Sequence, residues 1–150
     1  MKFIGFERED EALSWAKEKL AISGPVGLCR AMSATDDSGE LVFVVVLSNF
    51  TAQNCDMHTA AIDGSSWGTP KAIVQMFNDL FAYAFYRLGV KRVTGLLRKS
   101  NERAMKFDLH LGFKLEGVMR EAFPDGEDLH VYGFLKHEYE AHKWWRKQDD

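Results

Sequence analysis

Two titratable side chains, two residues apart in the sequence, are the first candidates for chemistry. Asp56 and His58 lie in a segment, residues 54–62, that reads as a β-strand, so both side chains point to the same face. A carboxylate or an imidazole can take a proton from a reacting group, and the unperturbed histidine pKa of ~6.5 suits a base near neutral pH. Either residue is a candidate general base, with an exposed polar strand face as the alternative. Cys55 has the opposite parity, which favours a core thiol.

A helix start that can bind an anion follows this strand. Residues 67–72 open an amphipathic helix that should end near Gly89, with Thr69 as its cap and Pro70 at its first position. The unpaired N–H groups of a helix start carry a partial charge of about +0.5, so this turn predicts a diphosphate cradle. A capped helix packed on a sheet is the alternative. Lys71 either assists electrostatically or is a solvated first-turn residue.

A second predicted helix, residues 101–111 with Ser100 as its cap, carries a polar stripe. Asn101, Ala104 and Asp108 share one side of it, and the small Ala104 leaves room for a ligand between polar ends. Each of these polar residues also has a purely structural alternative. Asn101 is tolerated in any first helical turn, and Asp108 would be an ordinary helix-surface aspartate.

The hydrophobic pattern predicts the elements that position these residues. Strands are expected at 2–6, 26–35, 41–47, 54–62, 92–98, 113–123 and 128–135, and helices at 9–22, 70–88, 101–111 and, as a polar tail, 138–150. The stripe expected to be buried on the long helix comprises Ile73, Met76, Phe77, Leu80, Phe81, Ala84, Phe85 and Leu88. This order predicts an α+β domain rather than a regular βαβ alternation.

Composition narrows the class of protein. A chain of 150 residues, 46% hydrophobic and 27% charged, fits one domain over 1–150. A net charge of -3 argues against broad capture of nucleic acid or anionic membrane, although basic and aromatic residues interleave at 143–147. Cys29 and Cys55 have no metal or disulfide spacing, and no apolar run is long enough to span a bilayer. We therefore expect a cytoplasmic protein without a metal site.

The spacing of the motifs resembles the GNAT superfamily of N-acetyltransferases, and within it the ribosomal-protein N-terminal acetyltransferase branch. The resemblance rests on residues 67–72, 101–104, 111–113 and 116–117, and on Arg120. It implies a GNAT-like acyl-CoA N-acyltransferase fold, with a mixed, mostly antiparallel sheet flanked by helices, and acetyl-CoA as cosubstrate. The chain departs from the diphosphate signature at Trp67, which replaces a polar residue, and at Pro70, which replaces a glycine and removes one N–H donor.

The resemblance also implies roles for individual residues. Coenzyme-binding positions fall on Ala61, Ile62, Trp67, Gly68, Thr69, Lys71, Ala72, Asn101 and Ala104. A carboxylate often stands near Asp56 in the family, which favours Asp56 as the base over His58. Many members carry a tyrosine as general acid where this chain has Asp108. Either burial raises the Asp108 pKa, or water protonates the thiolate, or Asp108 binds a cationic substrate.

The function implied is acetyl transfer from acetyl-CoA to a primary amine, directly within a ternary complex. The acceptor is a protein N-terminus or a small amine or polyamine, and a homodimer is a possible assembly. The alternative is a catalytically degenerate GNAT domain that binds acyl-CoA or a protein partner without turnover. Pro70 and Asp108 motivate that alternative.

Overall fold

The computed structural model describes residues 1–20, 28–62 and 70–142, with residues 70–73 described by their backbone. Strands are β1 Lys2–Gly5, β2 Arg30–Thr35, β3 Leu41–Ser48, β4 Asn54–Ala61, β5 Arg92–Arg98, β6 Lys114–Met119 and β7 Leu129–Leu135. Helices are α1 Glu9–Leu20, α2 Pro70–Ala82 with a π-helical continuation Tyr83–Leu88, α3 Glu102–Leu111 and α4 Lys136–Ala141. The strands form one seven-stranded sheet in the order β1-β2-β3-β4-β5-β7-β6. The expected α+β fold with a mostly antiparallel sheet is confirmed.

The pairing between β4 and β5 is the parallel step in this sheet, and it is short. The two strands pair from Asn54 with Arg92 to Met57 with Gly95. β4 then continues to Ala61 beside β3, and β5 continues to Arg98 beside β7, without further pairing to each other. The sheet therefore opens between β4 and β5 beyond Met57.

The two faces of the sheet are covered by different helices. On one face, Ala12 and Ala16 of α1 pack in a cluster that includes Val44 and Ala60. On the other face, α2 and α4 contribute to a larger core that includes the T-shaped pair of Phe81 and Phe134, whose ring centroids are 4.9 Å apart. Every residue of β3 is buried, which explains its unbroken apolar run.

The long helix differs from its expected periodicity over its last turn. The Gly89 N–H donates to the Ala84 carbonyl five residues back, and Gly89 has φ 78°, as expected for a helix end. The wider π turn rotates the residues after Ala82. Leu88, expected in the buried stripe, is 39% exposed. Tyr83, which is not part of the expected buried stripe, is half-buried, with its ring centroid 4.9 Å from that of Phe6.

Other element boundaries need smaller corrections. Asn101, rather than Ser100, caps α3, because its side chain accepts the Ala104 N–H at 3.2 Å. β2 begins at Arg30, and the hairpin strands β6 and β7 are shorter than expected. The expected tail helix is represented by α4; residues 143–150 lie outside the described part of the chain. No helix among the described residues has both the length and the apolar character required to cross a bilayer.

The glycine that ends α3 yields a stability prediction. Gly112 has φ 114°, and a Cβ there would lie 2.9 Å from Cε1 of Phe134, whereas Gly126 has φ 86° with nothing within 4 Å. Both Gly→Ala changes incur a left-handed backbone cost of about 1–2 kcal/mol. Gly112→Ala adds an overpacking cost of roughly 1–3 kcal/mol. Urea unfolding should therefore show the larger loss for Gly112→Ala; equal losses would contradict the packing account.

Candidate functional site

A cavity of about 250 Å³ lies where β4 and β5 separate. It is lined by Lys19 and Leu20 from α1, Met57, His58 and Thr59 from β4, Leu96, Leu97 and Arg98 from β5, Asn101 and Asp108 at α3, and Phe123 from the loop between β6 and β7. The opened sheet thus places side chains from both of its faces around one volume.

Backbone amides of β4 are available to a ligand in this opening. Ile62 donates its N–H to the Val42 carbonyl at 3.1 Å, on the β3 side. Because backbone groups along a strand alternate between its two neighbours, those of Thr59 and Ala61 point toward β5. The ladder with β5 has already ended at Met57. A ligand in the opening can therefore pair with β4 as a strand would.

His58 reaches the cavity from the α1 face of the sheet. It shares its parity with Ala60, which packs against α1, while Met57 belongs to the core on the opposite face. Burial lowers the pKa of His58, and the nearby Asp56 carboxylate partly opposes that shift. The imidazole is therefore neutral near pH 7 and able to accept a proton.

Asp108 reaches the same cavity from the opposite face. It is only 2% exposed, which rules out the helix-surface alternative. Its Oδ2 lies 2.9 Å from where a Cβ on Gly95 would be, so the missing side chain of Gly95 admits the carboxyl. Burial raises the pKa of Asp108 from its usual 3.8 to about 7. This agrees with the first of the three sequence-based explanations, a pKa raised by burial, while the catalytic role of Asp108 stays a prediction.

Asp56 lies beside the cavity rather than in its lining. It pairs with Thr94 at a position where β4 and β5 are still joined. Its two carboxylate oxygens each accept an amide N–H at 3.1 Å, Oδ2 from Asn49 and Oδ1 from Asn54. The structure therefore brings His58, and not Asp56, to the cavity wall. The catalytic role of Asp56 stays a prediction.

The expected coenzyme positions divide into three groups. Asn101 lines the cavity and also caps α3, while Ala104 is buried beneath it. Ala61 and Ile62 are half-buried at the end of β4. Lys71 and Ala72 lie in the first turn of α2, which begins at Pro70 as expected. Trp67, Gly68 and Thr69 lie outside the described residues, so the diphosphate cradle stays a prediction.

Three features of the cavity were missed by sequence reasoning. The first is the backbone amide of Thr59, whose side chain suggests no chemistry. Strand alternation in the sequence could have identified this amide, because it places the amide on the opposite side of β4 from that of His58. Lys19, and the contact of the Arg98 guanidinium with the Phe123 ring at 3.9 Å, depend on elements distant in sequence. Within the described ranges, no group of three or more His, Cys, Asp or Glu side chains could hold a metal ion.

Comparisons with known proteins bear on the fold. No protein-family model matches the chain, and no curated protein matches it by sequence. A chimera of the Vibrio cholerae spermidine N-acetyltransferase SpeG with hSSAT superposes with a TM-score of 0.65 at 18% identity, covering 89% of this chain and 80% of its own. A probable acetyltransferase gives a TM-score of 0.64 at 21% identity, covering 83% of this chain and 68% of its own.

A third similar structure is the ribosomal-protein-S5-alanine acetyltransferase from Vibrio fischeri. Its TM-score is 0.62 at 17% identity, covering 72% of this chain and 62% of its own. The chain therefore has the fold of the GNAT acetyltransferases, as its motifs indicate. At these identities the likeness establishes the architecture, and function has to be argued from the site.

The raised pKa of Asp108 makes a prediction about stability. The folded protein holds this proton up to about pH 7, whereas the unfolded chain releases it near pH 4, so wild-type stability falls as pH rises across that interval. The loss between pH 5 and pH 8 is about 3 kcal/mol at 1.36 kcal/mol per pKa unit. Asp108→Asn abolishes this loss.

Urea unfolding at pH 5 and pH 8 measures the difference. Relative to wild type, Asp108→Asn should gain stability as pH rises, whereas the exposed Asp37→Asn should not. A pH-independent difference for Asp108→Asn would show that this carboxyl ionises normally in the folded protein.

Proposed function

We propose that the protein is an acetyl-CoA-dependent N-acetyltransferase that moves an acetyl group to a primary amine by direct transfer in a ternary complex. The observation that carries the proposal is the opening between β4 and β5, lined by a neutral imidazole from one face and a buried carboxyl from the other. Similarity to structures named as acetyltransferases supports the same class. The acceptor is a protein N-terminus or a small amine.

The opening suits the coenzyme because it offers polar groups without partners of their own. The amides of Thr59 and Ala61 face it, and among the described residues the Asp108 carboxyl makes no side-chain hydrogen bond. Asn101 and the first turn of α2, with Lys71 and Ala72, would hold the rest of the molecule. Trp67, Gly68 and Thr69 complete this set as the sequence predicts. The coenzyme supplies the activated acetyl group as a thioester.

The proposed reaction needs one group that accepts a proton from the amine and one that donates a proton to the thiolate. His58 accepts a proton from the amine as the nitrogen bonds to the acetyl carbon, and the carbon–sulfur bond breaks. The amides on the open side of β4 can donate to the carbonyl oxygen as it gains charge. Asp108 donates its proton to the departing thiolate, since a pKa of about 7 leaves a large fraction protonated at neutral pH.

Direct transfer needs no acyl-enzyme, and the buried cysteine fits that expectation. Cys55 is fully buried on the core face of β4, and burial raises its pKa to about 12. Its thiol is therefore neutral and unreactive. Two departures from the family pattern suggested a catalytically degenerate domain. A buried Asp108 with a raised pKa can act as an acid and no longer supports that alternative, whereas Pro70 still does.

Calorimetry and thiol release test the proposal as a whole. Titration of the full chain with acetyl-CoA should give heat at a single site, and adding primary amines should release free thiol. Heat without thiol release from any amine would support the degenerate domain. No heat from a folded sample would end the transferase account.

The identity of the base is tested by two variants with opposite expectations. If His58 is the base, His58→Gln lowers kcat by about 10²-fold or more while the coenzyme Kd is retained. Asp56→Asn should leave kcat near its wild-type value. It should also move the acid limb of the pH–rate profile to lower pH, because losing the Asp56 charge lowers the pKa of His58.

The exposed His137→Gln is the matched control for the histidine change. Loss of turnover in Asp56→Asn with an active His58→Gln would assign the base to Asp56 instead.

A further inference from the structure

We infer that Gly95 is a positioning residue for the proposed transferase: the space left by its missing side chain seats the Asp108 carboxyl between α3 and the sheet, at the edge of the cavity. This rests on the proposed function, in which Asp108 donates a proton to the departing thiolate. A side chain at position 95 would push that carboxyl out of its seat.

Gly95 lies at the fork of the sheet. It pairs with Met57 of β4 in the last parallel pair before the strands separate, and with Tyr132 of β7 on its other side. Paired residues point to the same face of a sheet, so the side chains of Met57 and Tyr132 stand on either side of the space above Gly95. Gly95 is therefore the floor of a niche that begins where the cavity begins.

The walls of this niche are largely apolar. Met57, Phe113 and Tyr132 all belong to the buried core, and Cε1 of Phe113 lies 3.7 Å from where a Cβ on Gly95 would be. The Asp108 carboxyl enters the niche from α3 and also lines the cavity. It loses hydration in this position, and that loss raises its pKa.

No ion pair in the described part of the chain includes Asp108, and desolvation is the cause of its raised pKa. Burial, and after it the charge of Asp108, raises the pKa of Tyr132, so that hydroxyl is neutral near pH 7. The titratable side chains of α3 itself, apart from Asp108, are exposed. Other titratable side chains on the elements around the niche and the cavity are His58 on β4, Arg98 on β5, His130 on β7 and Lys19 on α1. The seat, rather than a charged partner, therefore sets how Asp108 ionises.

An alanine at position 95 would displace the carboxyl. Its Cβ would lie 2.9 Å from Oδ2 of Asp108, too close for a carbon–oxygen contact, whereas the Phe113 ring would stay at ordinary contact distance. Buried Ala104 and Leu111 hold α3 on the sheet, so the flexible end of the aspartate moves rather than the helix. The side of the niche left open is the cavity, where the carboxyl regains hydration and its charged form is favoured.

Carbon-13 NMR of the full chain tests this without any substrate. The Cγ signal of Asp108, assigned by its loss in Asp108→Asn, reports the protonation of this one carboxyl. The wild-type midpoint should lie near pH 7, and Gly95→Ala should lower it by about one pH unit or more, because desolvation is relieved. Gly117→Ala is the matched control: it adds the same methyl group to a strand glycine that has nothing within 4 Å, and should leave the midpoint unchanged.

A double-mutant cycle tests the contact itself by urea unfolding at pH 5. Gly95→Ala should lower the urea midpoint when Asp108 is present and lower it less in the Asp108→Ala background, because the group that it displaces is then missing. A Gly95→Ala chain that folds only together with Asp108→Ala would show the same contact. Equal losses in both backgrounds would show that the carboxyl is not what position 95 accommodates.

Turnover links the seat to the proposed acid. With an amine that releases thiol from acetyl-CoA, the alkaline limb of the pH–kcat profile should move to lower pH in Gly95→Ala, in step with the NMR midpoint, and stay in place in Gly117→Ala. A fall in kcat without movement of that limb would contradict a role through Asp108.

The outcomes separate this inference from the proposed function. An unchanged NMR midpoint in Gly95→Ala, or an equal change in Gly117→Ala, would overturn the inference and leave the transferase intact. A lowered midpoint without thiol release from any amine would keep the seat of Asp108 and overturn the transferase.

Discussion

The end of the hydrogen-bonded ladder between β4 and β5 is the constraint on which the site depends. Beyond Met57 and Gly95 the two strands no longer pair, although each continues beside its other neighbour. A buried amide without a partner costs roughly 1–3 kcal/mol, so such an opening persists only where solvent or a ligand can take the place of the missing strand. The surrounding sheet, anchored by the fully buried β3, keeps the two edges apart.

Burial sets both proton-handling groups toward their neutral forms. Desolvation lowers the pKa of His58 and raises that of Asp108, because in each case the charged form is the one that loses hydration. A neutral imidazole and a neutral carboxyl on opposite faces of one cavity form the pair that the proposed acetyl transfer needs at its start. Gly95 contributes by leaving space for the Asp108 carboxyl. Burial thus gives Asp108 the protonated form that its proposed role as general acid requires.

Acceptor choice is separable from the fold. Structures with TM-scores from 0.62 to 0.65 carry names that include both polyamine and ribosomal-protein acetyltransferases. In the proposed reaction the shared sheet would position the thioester, while the end of α1 and the loop after β6 would surround the amine. Charged side chains there, such as Lys19 and Arg98 with its partners Asp125 and Glu127, can change without disturbing the core. Site chemistry, rather than architecture, has to decide the substrate.

The sequence by itself determined the fold class, most element boundaries and the helix that carries Asp108, because periodicity and turn residues are local signals. β5 was predicted to the residue, and the α2 start at Pro70 and its end at Gly89 follow from the backbone chemistry of proline and glycine. The π turn was missed, since no local pattern records where a helix widens.

Only the tertiary structure decided which titratable groups meet. Asp56 and His58 share a strand face, yet the separation from β5 falls between them and brings His58 alone to the cavity. The burial of Asp108 and the approach of Lys19 likewise depend on residues far away in the chain. Ionisation follows desolvation and neighbouring charge, which are properties of the packed molecule and not of the local sequence.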